Sequence, residues 1–256
     1  WVPHLLLERY RLFDRRMNPF FQHADIVFFL ALKNRRIQGR IAAFINHRHN
    51  DYHKEQMGFF GFFECVDDET IAGQLLDAAS SWLRGRKMSA MRGPLNPSTN
   101  EEMGFLLEGY DLPSTIMTAY TPPYYHDFMD AYGMKKARDL FAYKFEKERI
   151  QVADKIEKIQ SSLTEKDNLV TRTIDVGNYA AEVKKIKEIY NDAWSLNWGF
   201  VPMTDDEMDH LMADFRQIME PELVLISEVN EEPAGFSLTL PNINEILIKI
   251  RNGRLF

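Results

Sequence analysis

Residues 57–66 constrain the fold more than any other part of the chain. They read Met-Gly-Phe-Phe-Gly-Phe-Phe-Glu-Cys-Val, an aromatic run in which no charge occurs before Glu64. A short apolar segment without polar alternation is typical of a strand that is covered on both faces. The sequence therefore predicts a buried central strand here, which the rest of the domain must enclose.

Elements on both sides of this strand are predicted from periodicity. Residues 1–17 carry apolar residues at helical spacing, and 25–31 with 39–46 predict a hairpin around the turn at 33–36. A helix is predicted from its cap, Asp68, to about Gly85, because its apolar residues fall on one stripe. The other elements predicted in this half are strands at 89–91, 114–120 and 137–146 and a helix at 124–132.

The second half repeats much of this order. Residues 150–166 are charged and helical in period, which indicates a connector between domains. The elements predicted after it are a strand at 169–174, helices at 180–194 and 205–219, and a hairpin of strands at 223–229 and 234–240. Mixed helices and hairpins in this order predict an α/β (α+β) fold with two units.

Composition narrows the class of protein. Of 256 residues, 45% are hydrophobic, and the net charge of -7 argues against broad binding to nucleic acid or to an anionic membrane. Cys65 is the one cysteine, so an intrachain disulfide is impossible and a reducing compartment is expected. Without an 18-residue apolar run or a signal segment, we expect a cytoplasmic protein. The chain begins without Met, which indicates a fragment or an incompletely recorded chain.

A polar loop, Met-Arg-Gly-Pro-Leu-Asn-Pro-Ser-Thr-Asn at 91–100, follows the predicted strand at 89–91. Arg92 offers a planar fork of donors, and Asn96, Ser98 and Asn100 offer both donors and acceptors. Two prolines stiffen the backbone that presents them, which lowers the entropy cost of binding a ligand. A network of turns that satisfies its own polar groups is the alternative.

Four segments resemble a bacterial group of tandem GNAT-like proteins, the N-acetyltransferase superfamily. They are Gly-Phe-Phe-Gly-Phe-Phe-Glu at 58–64, the polar loop at 91–100, Pro-Pro-Tyr-Tyr at 122–125 and Asn-Trp-Gly-Phe-Val-Pro at 197–202. The resemblance implies a mainly antiparallel sheet flanked by helices. It makes 1–146 a first unit without its first strand, 147–167 a connector, and 168–256 the N-terminal half of a second, incomplete unit.

The resemblance also implies a transferase that uses acyl-CoA, such as acetyl-CoA, on an unassigned acceptor. In that fold the central strand and the next one splay apart, here 57–66 and 89–92, and the pantetheine arm lies between them. The pyrophosphate then binds backbone amides at the following helix N-terminus. Residues 65–71 depart from this pattern, since three acids replace the expected glycine-rich loop. Capping by these acids is the alternative to a cofactor role.

Two candidate catalytic residues follow from the resemblance. Glu64 stands near the end of the central strand, where such enzymes often place the general base, and the alternative is a carboxylate that faces water. Tyr125 lies at the start of the helix where such enzymes often carry a tyrosine that protonates the leaving thiolate, and Tyr124 beside it is a candidate substrate-binding residue. Packing with the hydroxyl tip in water is the alternative for both tyrosines.

Two further polar clusters have open interpretations. Histidines alternate at His47, His49 and His53, which suits a metal site on a strand, yet Arg48 and the turn-like 50–51 favour a hairpin loop, so we expect no metal. A second cluster is expected either to frame a small polar ligand or to pack between helices. It consists of Asn191, Trp194, Asn197 and Trp198.

Three functions remain open at this level. The first is an acyl-CoA-dependent N-acyltransferase, in which Glu64 frees an amine for attack on the thioester and strand amides polarise the carbonyl. The second is a non-catalytic module that binds a small ligand at the polar loop after losing the pyrophosphate loop. The third is docking of the two halves through the polar loop. The sequence does not specify the acceptor or the oligomeric state.

Overall fold

The computed structural model describes residues 1–146, 148, 156, 158, 161–162 and 168–255. Two compact units make up the chain: 1–139 with 198–201 and 242–256 form the first, and 140–197 with 202–241 form the second. The predicted connector at 147–167 lies mostly outside the described residues. That the two units are tandem copies divided at 146 and 168 stays a prediction.

The first unit is built on a four-stranded mixed sheet. Its strands are β1 (Ala24–Lys33), β2 (Arg36–Asn46), β3 (Met57–Cys65) and β4 (Ala90–Arg92), in the order β1-β2-β3-β4. The first two pairs are antiparallel and the pair β3-β4 is parallel. Strand β3 therefore lies inside the sheet, and Phe59 and Phe60 are each 1% exposed. The predicted strand buried on both faces is confirmed.

Helices cover both faces of this sheet. The helices are α1 (Leu6–Phe13), α2 (His47–His53), α3 (Glu69–Arg84) and α4 (Tyr124–Ala131). Helices α3 and α4 pack with Phe60 and Ile41 in one core, whereas Leu12 and Phe13 of α1 pack against the core of the opposite face. Burial of each such large apolar side chain contributes roughly 1.5–3 kcal/mol. The predicted mixed α/β class is confirmed.

Two of the strands predicted in the first half of the chain are wrong. Residues 114–120 form turns, in which the hydroxyl of Thr118 binds the amide of Thr115 at 2.9 Å and its carbonyl at 2.8 Å. This local side-chain bonding competes with sheet formation. Residues 137–146 are irregular, and their alternating apolar residues, among them Phe141 and Phe145, are exposed. Alternation predicts a strand only where a neighbouring strand supplies hydrogen bonds.

The histidine-rich segment is helical, not a strand or a hairpin loop. Asn46 caps α2, since its Oδ1 accepts from the His49 amide at 3.1 Å. An α-helix has about 3.6 residues per turn, so His47 and His49 no longer project to the same side, whereas the rings of His49 and His53 lie 4.4 Å apart between centroids. A short pair of strands, β5 (Leu95–Asn96) and β6 (Glu102–Met103), follows within the polar loop region.

The second unit contains a three-stranded antiparallel sheet. Its strands β7 (Leu169–Thr173), β8 (Val224–Val229) and β9 (Glu232–Leu238) stand in that order, and its helices are α5 (Tyr179–Ala193) and α6 (Asp205–Phe215). Thr204 and Glu207 form a capping box at the start of α6. The predicted strand, two helices and hairpin are confirmed. A final short helix, α7 (Asn244–Leu247), belongs to the first unit.

Candidate functional site

The predicted catalytic residues, Glu64 of β3 and Tyr125 of α4, meet at the end of β3. The hydroxyl of Tyr125 accepts from the amide of Cys65 at 2.9 Å and donates to Oε2 of Glu64 at 3.2 Å. Tyr124 donates to the carbonyl of Cys65 at 3.0 Å. The structure therefore brings Glu64, Tyr124 and Tyr125 together, although they lie about 60 residues apart in sequence.

Burial distinguishes the two members of the Glu64–Tyr125 pair. Tyr125 is 1% exposed, whereas the side chain of Glu64 is 60% exposed. Burial raises the pKa of the Tyr125 hydroxyl well above its usual range, so Tyr125 stays protonated near neutral pH. A buried phenol that donates to a carboxylate holds that carboxylate in one orientation. The exposed Glu64 is the member that a solute can reach.

A cation faces Glu64 across the sheet. Arg40 on β2 is the register partner of Glu64 on β3, and Nη2 of Arg40 lies 3.8 Å from Oε1 of Glu64. Directly paired residues on neighbouring strands project to the same face. Leu30 on β1 is in turn the register partner of Arg40. Leu30, Arg40 and Glu64 thus form a row across three strands on one face of the sheet.

An apolar cleft of about 290 Å³ adjoins this row, and we call it the β1 cleft. The aromatic residues Phe13, Phe28 and Phe62 line it with Leu30, and Arg40 contributes the charged group. The rings of Phe13 and Phe62 lie 4.8 Å apart between centroids, and those of Phe13 and Phe28 lie 5.3 Å apart. The cleft therefore has an apolar wall and one polar edge, at Arg40.

A bulge in β3 separates the cleft from the polar loop. The pairing of β2 with β3 shifts between Arg40 and Ala42, and Phe62 has φ of +50°. This left-handed conformation is costly for a bulky residue. Oδ1 of Asn96 accepts from the Phe62 amide at 2.7 Å, and Nδ2 of Asn96 donates to Glu102 at 2.8 Å. Both the oxygen and the nitrogen of the Asn96 side chain are therefore bonded to other protein groups, and the first of these bonds stabilises the bulge.

The polar loop also lies against β3 beyond the parallel pairing. Strands β3 and β4 pair from Met57/Ala90 to Phe59/Arg92. A Cβ added at Gly61 would come 1.6 Å from the carbonyl oxygen of Leu95, so only glycine permits this approach. Residues 93–96 therefore occupy the edge of β3 at Gly61, where the resemblance implied a gap for the pantetheine arm.

The remaining side chains of the polar loop bind protein groups. The Asn100 amide donates to Oγ of Ser98 at 3.1 Å, Thr99 donates to the Gly199 carbonyl at 3.0 Å, and Asn100 Nδ2 donates to the Val201 carbonyl at 3.4 Å. Residues 198–201 belong to the same compact unit as the loop. These contacts are those expected of a loop that satisfies its own polar groups. A substrate-binding role for Ser98 and Asn100 stays a prediction.

Arg92 lies in a charged group that includes a histidine absent from the predicted site. Nη1 of Arg92 lies 3.4 Å from Oε1 of Glu55, and the same oxygen lies 2.6 Å from Nε2 of His49. The guanidinium also lies 5.2 Å from the ring centroid of Trp198, within cation–π range. His49 is 2% exposed, and burial lowers its pKa against the opposing effect of Glu55. Predicted residues Arg92 and Trp198 are thus brought together.

The acids before α3 cap the helix. Oδ1 of Asp68 accepts from the amides of Thr70 at 3.1 Å and of Ile71 at 3.3 Å. Lys33 lies 3.4 Å from the other carboxylate oxygen. The hydrogen bond from Ile71 is the largest cause that lowers the pKa of Asp68. The predicted cap is confirmed, and the two amides that it engages lie at the helix N-terminus, where the resemblance implied the pyrophosphate.

The predicted polar-aromatic cluster is divided between the two units. Trp198 belongs to the first unit, whereas Asn191, Trp194 and Asn197 belong to the second. The Asn191 side chain accepts from the Met203 amide at 3.0 Å and donates to its carbonyl at 3.3 Å. Trp194 stacks on Tyr190 at 5.4 Å between centroids, and the Asn197 amide donates to the Trp194 carbonyl at 2.8 Å. Asn191 therefore ties α5 to the segment before α6.

The β1 cleft was missed at the sequence level, although a signal for it exists. Residues 26–32 read Ile-Val-Phe-Phe-Leu-Ala-Leu, so both faces of an edge strand are apolar. Leu30 is 57% exposed and Phe28 is 46% exposed. An edge strand with an apolar outer face indicates an interaction surface. The Arg40–Glu64 pair gave no such signal, because it depends on the register around the bulge.

The described residues contain neither a cluster of metal-ligating side chains nor a helix that could cross a membrane. Within 1–146 and 168–255 and the few residues described between them, no three His, Cys, Asp or Glu side chains are arranged to hold a metal ion. Over the same residues, every helix is too short or too polar to cross a bilayer.

Two bacterial proteins are similar to nearly the whole chain. The bacterial ceramide synthase of Caulobacter vibrioides (strain NA1000 / CB15N) is 35% identical over 254 residues, which are 98% of this chain and 65% of that protein. Protein YghO of Escherichia coli (strain K12) is 30% identical over 256 residues, which are 100% of this chain and 65% of that protein. No family model matches the chain, and no solved structure matches it significantly. The chain thus spans just under two thirds of the length of each relative.

Proposed function

We propose that the protein is a GNAT-like N-acyltransferase that moves an acyl group from acyl-CoA to a primary amine, with Glu64 as its general base. The observation that carries the proposal is the hydrogen bond of 3.2 Å from the buried Tyr125 to the exposed Glu64 at the end of the central strand. A carboxylate that is oriented by a buried donor and open to solvent is suited to take a proton from an amine.

The chemistry needs no covalent enzyme intermediate. Glu64, or a water that it binds, removes a proton from the amine, and the nitrogen attacks the thioester carbonyl. The carbon–sulfur bond then breaks, and the products are an amide and a free thiol that takes up the proton. Tyr125 orients Glu64 during these steps, and its role as the proton donor to the thiolate stays a prediction because it is 1% exposed.

The relative named bacterial ceramide synthase supports this reaction class. A ceramide is an amide between a fatty acyl group and a long-chain amino alcohol, so its synthesis joins an acyl group to an amine. The similarity to that protein covers 98% of this chain. We therefore favour amide formation over other uses of a GNAT-like fold.

Release of free thiol from acyl-CoA in the presence of a primary amine tests the proposal. The full chain should release thiol only when both substrates are present, and Glu64→Gln should lower kcat about a hundredfold or more, since general base catalysis is worth that much. Glu108→Gln, an exposed carboxylate in the same unit, is the matched control and should leave the rate unchanged. No thermal shift and no thiol release at millimolar acyl-CoA would overturn the proposal.

A second candidate is a binding module without catalysis. Two observations favour it: Asp68 occupies amides at the start of α3, and residues 93–96 fill the edge of β3 at Gly61. In this case Arg92, beside Trp198, would bind a small anionic or amide ligand. Thermal shifts with short carboxylates and primary amides would then disappear in Arg92→Ala, whereas the melting temperature without ligand would change little. Arg92→Lys separates loss of the planar fork from loss of charge.

A further inference from the structure

We infer that the β1 cleft binds the alkyl chain of a long-chain amine, whose nitrogen lies at Glu64. This inference rests on the proposed acyl transfer and adds to it the chemical class of the acceptor. It depends on three features of the first unit: the apolar wall of the cleft, the row of side chains that links the cleft to Glu64, and the exposure of apolar residues beyond the cleft.

The wall of the cleft is suited to a hydrocarbon. Phe13, Phe28 and Phe62 are aromatic and meet at centroid distances of 4.8–6.4 Å. Sites for small ligands are mostly apolar, with a few polar groups that fix orientation. Here the polar group at the edge is Arg40. Among the described residues that line the cleft, no other side chain could form hydrogen bonds with a sugar or a peptide backbone.

The apolar surface continues along β1 beyond the cleft. Leu30 and Leu32 are 57% and 65% exposed, and Ile37, the register partner of Leu32, is 63% exposed. Residues 28–32 span about 13 Å along the strand at roughly 3.3 Å per residue. A straight alkyl chain matches this narrow track, because each added methylene covers further apolar surface along one direction.

The polar end of such a ligand meets Glu64. Leu30, Arg40 and Glu64 are consecutive register partners on one face, so the cleft and the carboxylate lie side by side. Glu64 remains 60% exposed, and its distance of 3.8 Å from Arg40 exceeds hydrogen-bond length. An amine can therefore approach the carboxylate.

The position of the cleft favours the amine over the acyl chain as its occupant. The cleft lies on β1 and β2, whereas β4 and the polar loop lie on the opposite side of β3. In the fold that the resemblance implies, the acyl donor would have to enter on the β4 side of β3, next to the edge that residues 93–96 occupy at Gly61. The two substrates would then reach Glu64 from opposite sides of β3, as direct transfer requires.

Binding of n-alkylamines without any acyl donor tests the inference. With hexylamine to dodecylamine, each below its aggregation concentration, we expect Kd to fall about three- to fourfold for each methylene that is buried, from roughly 0.8 kcal/mol per group. Dodecanol compared with dodecylamine tests the head group, since Glu64→Gln should weaken binding of the amine and leave binding of the alcohol unchanged.

Matched leucine variants locate the chain. Leu30→Ser should remove most of the gain with chain length, whereas Leu112→Ser, which is 59% exposed in the same unit, should keep it. Both positions are exposed, so both variants should fold, which circular dichroism checks. A Kd that is independent of chain length, or one that Leu30→Ser leaves unchanged, would overturn the inference. Self-association that Leu30→Ser abolishes, without amine binding, would overturn it in favour of a second copy.

The outcomes for the site and for the reaction are distinguishable. Acylation of hexylamine without improvement for longer amines would overturn the cleft assignment and leave the acyltransferase standing. Binding that strengthens with chain length, without amide formation from any amine, would support the cleft assignment and overturn the acyltransferase.

Discussion

Oδ1 of Asn96 accepts a hydrogen bond of 2.7 Å from the main-chain amide of Phe62, across 34 residues of sequence. The contact holds a phenylalanine at φ of +50°, and it aligns the bulge that leads to Glu64. Asn96, which the sequence predicts to bind a ligand, therefore supports the backbone that leads to the candidate site. Its second bond, from Nδ2 to Glu102 at 2.8 Å, ties β5 to β6.

Replacement of Asn96 should destabilise the first unit. Asn96→Ala leaves the Phe62 amide and the Glu102 carboxylate without these partners, and each unpaired buried group costs about 1–3 kcal/mol. We expect the free energy of unfolding to fall by about 2 kcal/mol or more, measured by urea denaturation. Asn242→Ala, at an exposed asparagine of the same unit, should change it by less than about 0.5 kcal/mol. Equal stability of the two variants would contradict this role.

The sequence predicts the features that local signals determine, and it does not predict those that depend on contacts between distant residues. The strands β1, β2 and β3 and helix α3 follow from short-range periodicity and from the cap at Asp68. The roles of Asn96 and Arg40 do not, because they depend on partners 34 and 24 residues away. The failed strand at 137–146 has the alternation of a strand, yet within the described residues no neighbour pairs with it. Glu64 and Tyr125 were predicted through the resemblance, and their contact became visible only in the structure.

Removal of the Tyr125 hydroxyl should alter catalysis through Glu64. Tyr125→Phe keeps the packing of the ring and releases the carboxylate, and small misplacement of a reacting group costs about tenfold to a hundredfold in rate. We expect kcat for amide formation to fall by about this factor, with a changed pH–rate profile and an unchanged KM for acyl-CoA. Tyr124→Phe removes a hydroxyl that binds Cys65, so it is the control. Equal effects of the two variants would show that Tyr125 acts only in packing.

The Asp68 cap should limit binding of CoA at α3. Asp68→Asn keeps a capping side chain and removes its charge, so helix stability should be nearly retained while repulsion of a pyrophosphate falls. We expect acyl-CoA to bind Asp68→Asn severalfold more tightly than the natural chain, with a dependence on salt concentration, in titration calorimetry.

Asp68→Ala provides the complementary measurement. It removes the acceptor for the Thr70 and Ile71 amides, and loss of a cap should lower the melting temperature by about 2–4 °C. If CoA affinity is the same in Asp68→Asn, Asp68→Ala and the natural chain, the start of α3 takes no part in binding the cofactor.

A buried carboxylate gives the second unit a defined acid sensitivity. Glu182 is 3% exposed, and Nη1 of Arg172 lies 2.6 Å from its Oε2. The hydrogen bond from Arg172 is the largest cause that lowers the pKa of Glu182 below its ordinary value of 4.5. As the pH falls, the unfolded chain therefore takes up the proton first. The stability that Glu182 contributes is complete above about pH 5 and is lost as the pH drops through the folded-state pKa.

Glu182→Gln should remove this pH dependence together with part of the stability. At pH 7 we expect the free energy of unfolding of the second unit to fall by about 2 kcal/mol, the scale of one hydrogen bond to a charged group, since Arg172 keeps Glu228 as a partner at 2.9 Å. As the pH falls below about 5, the difference between the variant and the natural chain should shrink. Glu188→Gln, at an exposed glutamate of α5, should follow the natural chain at every pH. Urea denaturation at several pH values measures all three, and a constant difference between Glu182→Gln and the natural chain down to pH 3 would contradict the assignment.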